Sequence, residues 1–269
     1  MSAAFQFDHA IVAVADLDAA TADFRALGFQ AFYGGRHADG KTHNALVVFA
    51  GGGYLELLAP TDVNFLANKD TVDLSSFLDF VARGDGWAGY ALLVQDIDRA
   101  AEAMRARRLK VTGPTANGRK RPDGEQIAWR TLAVDNSRTP FFITDETPRV
   151  LRVPDDADKI THDNGVTAVD SLVVAVQKLD KGVAHYQAML GLEPGPGPHI
   201  PSAETASFRL GDFTLVLAAP GDYDSPLYGY LRDRGEAPFE IRLRTTQPEH
   251  EGLCSLKQSH GARIALIGP

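Results

Sequence analysis

Residues 5–14, Phe5-Gln6-Phe7-Asp8-His9-Ala10-Ile11-Val12-Ala13-Val14, run directly into Asp16-Leu17-Asp18, and this junction decides the fold. The first stretch is rich in Phe, Ile and Val and predicts a β-strand. Asp16 suits the start of a helix, where a short acceptor side chain meets free backbone N–H groups, and Asp18 suits its positive end. Leu17, Ala20, Phe24 and Leu27 then fall on one helical face. Gly28 ends the helix, as a residue without a Cβ does where the backbone turns left-handed. Short strands are expected near 29–33, 44–50 and 54–59, the last two joined by a Gly51-Gly52-Gly53 turn. The order is β-α-β-β-β.

Working outward, the same order recurs. A strand over 87–94 leads into Asp96-Ile97-Asp98 and a helix face of Ile97, Ala101 and Met104, with strands near 109–113, 126–134 and 140–144. A third copy begins at Val169, with a strand from Leu172 to Val176 and a helix face of Leu179, Val183, Tyr186 and Leu190. Leu190-Gly191-Leu192 mirrors Leu27-Gly28-Phe29, and strands near 205–210 and 213–218 follow. A fourth start lies at Phe239–Thr245, with a helix expected to about His260 and a strand at 262–267; this copy is abbreviated and lacks its last two strands. Leu17-Asp18, Ile97-Asp98 and Leu179-Asp180 sit at the same distance from their strand starts, which marks a repeat rather than chance alternation. Pro148, Pro154 and several Asp residues make 146–165 a linker between two module pairs, 1–150 and 166–269. The expected class is α+β, with repeated βαβββ modules forming two half-barrel pairs.

Three stretches carry a resemblance: Asp8-His9-Ala10-Ile11-Val12; Thr42-His43-Asn44-Ala45-Leu46 with Tyr54-Leu55-Glu56-Leu57-Leu58; and Arg119-Lys120-Arg121-Pro122-Asp123-Gly124 before Trp129-Arg130. Together with the paired modules they resemble the glyoxalase-like domain family of the glyoxalase, bleomycin-resistance and dioxygenase (vicinal-oxygen-chelate) superfamily. The resemblance implies metal ligands on the first and last strand of each module. Module one offers His9 and Glu56, with His43 as a third ligand, a set that suits one divalent metal such as Zn, Fe, Mn or Ni. The later modules depart from this. Counting back eight residues from each helix start gives His9, then Gly89, then Ser171. Glu56 is matched near Phe141 or Phe142 in module two and by Val216 in module three, while Glu240 lies near the ligand position of module four. The four-ligand set is therefore incomplete.

A strand alternates its faces, so either His43 or Asn44 stands beside Glu56, and the sequence leaves this open. Without metal, Glu56 between Leu55 and Leu57 is suited to act as a general base, with His9 or His43 as the acid. Arg119 and Arg121 suit an anionic group on a ligand, since a guanidinium forms a planar fork for carboxylate or phosphate. Asn44 and Trp129 complete the expected substrate-binding set, with Tyr54 as a further apolar wall.

Composition narrows the function classes. A net charge of -8 argues against a broad nucleic-acid surface. One cysteine, Cys254, leaves no intrachain disulfide. No basic segment followed by an apolar core opens the chain, and no apolar run of about 18 residues occurs. A cytoplasmic location and a small-molecule ligand are expected, with neither nucleic acid nor membrane as partner, and the second half is expected to serve as a structural or dimer-like cover. A homodimer agrees with that arrangement. Gly51-Gly52-Gly53 precedes a strand rather than a helix, which excludes a dinucleotide fingerprint, and no Gly-x-Ser-x-Gly elbow is present. Two functions remain: a lyase, isomerase or dioxygenase acting on a small oxygen-rich or carboxylated molecule, and a metal-free binding or sequestering protein.

Overall fold

The computed structural model describes residues 5–62, 80–134 and 140–269. Module one comprises β1 (Phe5–Ala13), α1 (Leu17–Ala26), β2 (Ala31–His37), β3 (Thr42–Val48) and β4 (Tyr54–Pro60). Module two comprises β5 (Gly86–Val94), α2 (Ile97–Ala106), β6 (Val111–Lys120), β7 (Gln126–Val134) and β8 (Phe141–Asp145). Both helices start on the predicted aspartates. Asp16 accepts from the N–H groups of Asp18 and Ala19 at 3.0 Å, and Asp96 from that of Arg99 at 2.9 Å.

The eight strands close into a barrel in the order β1-β4-β3-β2-β6-β7-β8-β5. First and last strands of each module run parallel, with Ile11 beside Glu56 and Ala91 beside Phe141. These pairs bear out the alignment made from sequence, since each lies two residues beyond His9 and Gly89. The barrel is weakest between β2 and β6, which meet only at Arg36 with Lys120 and at His37 with Arg119.

The predicted linker contains α3 (Arg149–Arg152) and α4 (Ala157–Ile160), and it is a packed segment rather than a free spacer. Val153 and Ile160 pack against Leu46, Val48 and Tyr54, while Leu151 packs against Trp129 and Ile143. His162 ties the segment to module one. Its Nδ1 accepts from the Gln30 N–H at 2.9 Å and its Nε2 donates to the Val48 carbonyl at 3.0 Å.

The second half contains β9 (Val166–Ala175), α5 (Leu179–Leu190), β10 (Gly195–Pro196), β11 (Ala203–Leu210), β12 (Phe213–Pro220), α6 (Pro226–Arg234), β13 (Ala237–Thr245), β14 (Gly252–Leu253) and β15 (Arg263–Ile267). Its strands form an open sheet, β10-β11-β12-β9-β13-β15-β14. Val173 beside Val216 repeats the register of Ile11 and Glu56. Here α6 lies on the face corresponding to the barrel interior, with Leu227, Tyr230 and Leu231 packed on Val173, Val216 and Phe239. The sequence did not predict α6. The helix expected to run to about His260 is also not formed, because Pro248 and Gly252 interrupt it. A single tight turn at Pro248–His250 takes its place, and β14 pairs with β15. Glu240 occupies the ligand-matching register but is engaged by Arg242 at 3.1 Å and Arg263 at 3.3 Å.

Strand alternation gives each half two faces. Ala10 and Val12 of β1 join Leu172, Leu215 and Ile241 in one core shared by both halves, while His9 and Ile11 face the barrel interior. Across this core the Phe7 and Phe213 rings are 4.8 Å apart, and the Tyr90 and Tyr186 hydroxyls are 2.9 Å apart. Among the described residues no helix is long and apolar enough to cross a membrane.

Two measurements test this packing. Phe208 is fully buried in the shared core. Phe208→Ala should cost about 3–5 kcal/mol in urea denaturation, and loss of one half's signal without the other's would contradict a shared core. Burial lowers the His162 pKa from its ordinary 6.5, outweighing the bond to the Val48 carbonyl and the nearby Asp163. The unfolded chain therefore takes the proton more readily, so the stabilisation from neutral His162 is complete above pH 6.5 and is lost as the pH falls below it. Melting temperature should drop further between about pH 7 and pH 5 in the wild type than in His162→Gln.

Candidate active site in the N-terminal barrel

An irregularity in β1 builds the site. The pairing of β1 with β5 slips between Phe7 and His9, leaving Asp8 as an extra residue in the strand. Adjacent strand residues normally face opposite ways, but here both Asp8 and His9 are buried, with Asp8 Oδ1 2.6 Å from His9 Nδ1. Arg152 of α3 grips Asp8 with both ends of its fork, Nη1 donating to Oδ1 at 2.8 Å and Nη2 to Oδ2 at 2.9 Å. Arg149 adds a bond to Oδ2 at 2.5 Å, and Arg152 Nε also donates to Asp145 at 2.5 Å. Burial by itself would raise the Asp8 pKa. The charge and hydrogen bonds of Arg152, followed by those of His9, overcome it and hold the carboxyl well below its ordinary range. An ionised Asp8 fixes the His9 proton on Nδ1, which leaves Nε2 as the working nitrogen.

That nitrogen lies 3.5 Å from Glu56 Oε2. The His9 ring is stacked on Tyr54 at 4.7 Å and meets the edge of Phe141 at 5.4 Å. Glu56 Oε1 accepts from Asn44 Nδ2 at 2.5 Å, and His37 Nε2 is 3.8 Å from the same oxygen. His37 is itself held by Thr42, 2.7 Å from its Nδ1.

The β3–β4 register settles the choice between Asn44 and His43. Leu46 lies opposite Glu56 and Asn44 opposite Leu58, so Asn44 is a diagonal neighbour of Glu56 on the same face. His43 faces the other way, towards the Tyr33 ring 6.1 Å off and a cleft beside Asp16 and Pro60. His43, expected as a catalytic acid and third metal ligand, is therefore away from the site, and the cause is strand alternation. Gly34 of β2 makes room for Asn44, since a Cβ there would come within 2.4 Å of Asn44 Oδ1.

Of the two arginines expected to bind an anion, only Arg119 reaches the barrel cavity, and it borders the outer cleft beside Arg121 as well. Arg119 is buried, donates to the Gly34 carbonyl and, at 3.5 Å, to that of Arg152, and lines the cavity. Arg121 sits in the turn that follows β6, pairs with Asp123 at 2.9 Å, and faces an outer cleft beside Tyr33 and Lys159. Trp129 lines the cavity as expected. The cavity, open at its mouth, has a volume of about 290 Å³. Its polar corner is His9, His37, Asn44 and Glu56; Ile11, Trp129, Phe141 and Ile143 supply apolar walls.

A metal centre of the kind implied by the resemblance does not fit these residues. The module-two counterpart of Glu56 is Phe141, and Gly89 carries no ligand. Among the described residues no three or more His, Cys, Asp or Glu side chains are grouped so as to hold a metal. Asp8, Arg149 and Arg152 belong to the site without having been assigned to it from sequence, and His37, expected only as part of a loop around the shared cavity, reaches Glu56. The bulge leaves no mark in the residue pattern, and the two arginines lie in a stretch that reads as a linker.

Comparison with known proteins places this geometry. No curated protein sequence matches the chain. A hypothetical protein from Staphylococcus aureus superimposes with a TM-score of 0.73 at 14% identity, covering 98% of this chain and 100% of that one. A mutant 4-hydroxymandelate synthase from Streptomyces coelicolor gives 0.64 at 14% identity, over 92% of this chain and 72% of that one. A fusion of a xylose isomerase-like TIM barrel with 4-hydroxyphenylpyruvate dioxygenase gives 0.56 at 17% identity, over 92% of this chain and 38% of that one. At such identities the likeness shows the fold. The sequence profile of the glyoxalase-like domain matches residues 7–181, from β1 through the whole barrel and the packed segment to the start of α5. With more than half its length matched and a vicinal-oxygen-chelate fold, the chain belongs to the glyoxalase-like domain family.

Proposed function

We propose that this chain is an enzyme of the isomerase or lyase type that moves a proton at carbon on a small carbonyl-bearing molecule. Glu56 is the base and His9 its partner acid. The observation that carries this is the contact of His9 Nε2 with Glu56 Oε2 at 3.5 Å, at the buried corner of an otherwise apolar cavity. A proton taken by Glu56 Oε2 can pass to His9 Nε2 and return to a different position on the substrate. Asn44, bonded to Oε1, holds the carboxylate in one orientation and leaves Oε2 for the exchange. Asp8, clamped by Arg152, keeps the imidazole proton on Nδ1 and steadies the imidazolium formed during transfer. The apolar walls exclude water, which strengthens these charge interactions. In this scheme 1–150 is the catalytic domain and 166–269 supports it.

The direct test is carbon–hydrogen exchange in deuterated water, with small 2-oxo acids and β-keto acids as trial substrates and NMR as the readout. The wild type should incorporate deuterium at carbon. Glu56→Gln and His9→Ala should each lose about 10²–10⁴-fold in rate. A folded wild type that exchanges none of them would defeat the proposal, and stabilisation by the same compounds without exchange would favour a binding protein.

A second test addresses the clamp. In ¹⁵N-labelled wild type, the neutral His9 ring should carry its proton on Nδ1, facing Asp8. Asp8→Asn should disturb that tautomer and slow exchange, while Arg152→Gln should destabilise the fold, because it leaves the buried Asp8 with Arg149 as its remaining cation and Asp145 without its forked partner. An unchanged His9 spectrum in Asp8→Asn would remove Asp8 from the mechanism.

A further inference from the structure

The cavity holds one buried cation that no carboxylate among the described residues touches, the charge of Glu56 acting on it only from beyond contact distance. Arg119 is 4% exposed, yet among the described residues no carboxylate lies within ion-pair distance of it. Its contacts are the carbonyl oxygens of Gly34 and Arg152. These neutral acceptors fix the guanidinium in place and occupy only part of its five N–H groups. Arg152, by contrast, is saturated by Asp8 and Asp145. Burying a cation without an anion is costly, and a site that retains one is set up for an anion that arrives from outside. Arg119 shares the cavity with Trp129, Phe141 and Ile143. Anionic and apolar recognition thus meet in one space of about 290 Å³, which suits a ring-sized acid.

We propose that the ligand is a compact monocarboxylate with an apolar body: Arg119 receives the carboxylate, the body lies against Trp129 and Phe141, and the reacting carbon is presented to Glu56. This assignment rests on the proton-transfer function above and names its substrate class. Arg119 borders both the barrel cavity and the outer cleft, and the proposal assigns the acid to its cavity side, where Arg121 does not reach.

Calorimetric titration of the full chain with benzoate and cyclohexanecarboxylate, each against its neutral amide, tests it. Wild type should prefer the acids by roughly tenfold or more, as expected for a charge-assisted hydrogen bond. Arg119→Gln should abolish that preference, Arg119→Lys should keep a reduced part of it, and Arg121→Gln should keep it whole. Equal binding of acid and amide, a preference that survives Arg119→Gln, or no binding of either acid overturns the assignment. If Arg119→Gln does not fold by circular dichroism, Arg119→Lys decides: an undiminished preference then overturns it. Glu56→Gln separates the two proposals. An acid preference intact in Glu56→Gln and in a wild type that exchanges no carbon-bound hydrogen would sink the proton-transfer function and leave Arg119 as the anion site.

Discussion

The ion pair between Asp8 and Arg152 governs the N-terminal half. Both residues are buried, at 0% and 3% exposure, and the pair is the centre of a charge network completed by Arg149 on Asp8 and Asp145 on Arg152. The pair spans 144 residues of sequence and joins the first strand of the barrel to the segment that follows the last. It also extends sideways to Asp145 at the end of β8 and to the Tyr54 hydroxyl. The seating of α3 and the orientation of His9 thus meet at one contact. Buried charge pairs add little net stability, but they discriminate sharply against misassembled alternatives, and this one specifies where the packed segment must lie.

The frame of the fold was legible because it rests on local chemistry. Asp16 and Asp96 begin helices for reasons visible within four residues, Gly28 ends one, and alternating apolar strands leave little choice of face. The parallel pairs Ile11–Glu56, Ala91–Phe141 and Val173–Val216 follow from that spacing. The failures were of another kind. The helix expected before His260 assumed that the repeat would hold where Pro248 and Gly252 break it. The α6 helix follows no hydrophobic spacing shared with the other βαβββ copies and was not inferred from the repeat.

The site was half legible. His9, Glu56, Asn44, Arg119 and Trp129 share the cavity, whereas His43 and Arg121 do not. His43 was lost to a one-residue question of strand face that only the β3–β4 register answers. Arg121 and Arg119 are two residues apart at the end of β6, where the chain leaves the sheet and alternation no longer predicts direction. The bulge that brings Asp8 beside His9 has no sequence signature, because any residue can occupy the extra position. Arg149 and Arg152 were hidden by distance, as their role depends on where the segment folds back.

The α6 helix lying on the second sheet has a consequence for how this chain tolerates change. One repeat keeps a hollow and the polar groups that need it, while the other has filled its own hollow with leucine and tyrosine. A filled face and a hollow one thus stand side by side in two copies of one design. Substitutions that harden the 166–269 portion can compensate for the strain of a buried, charge-rich chamber without altering any atom that lines it.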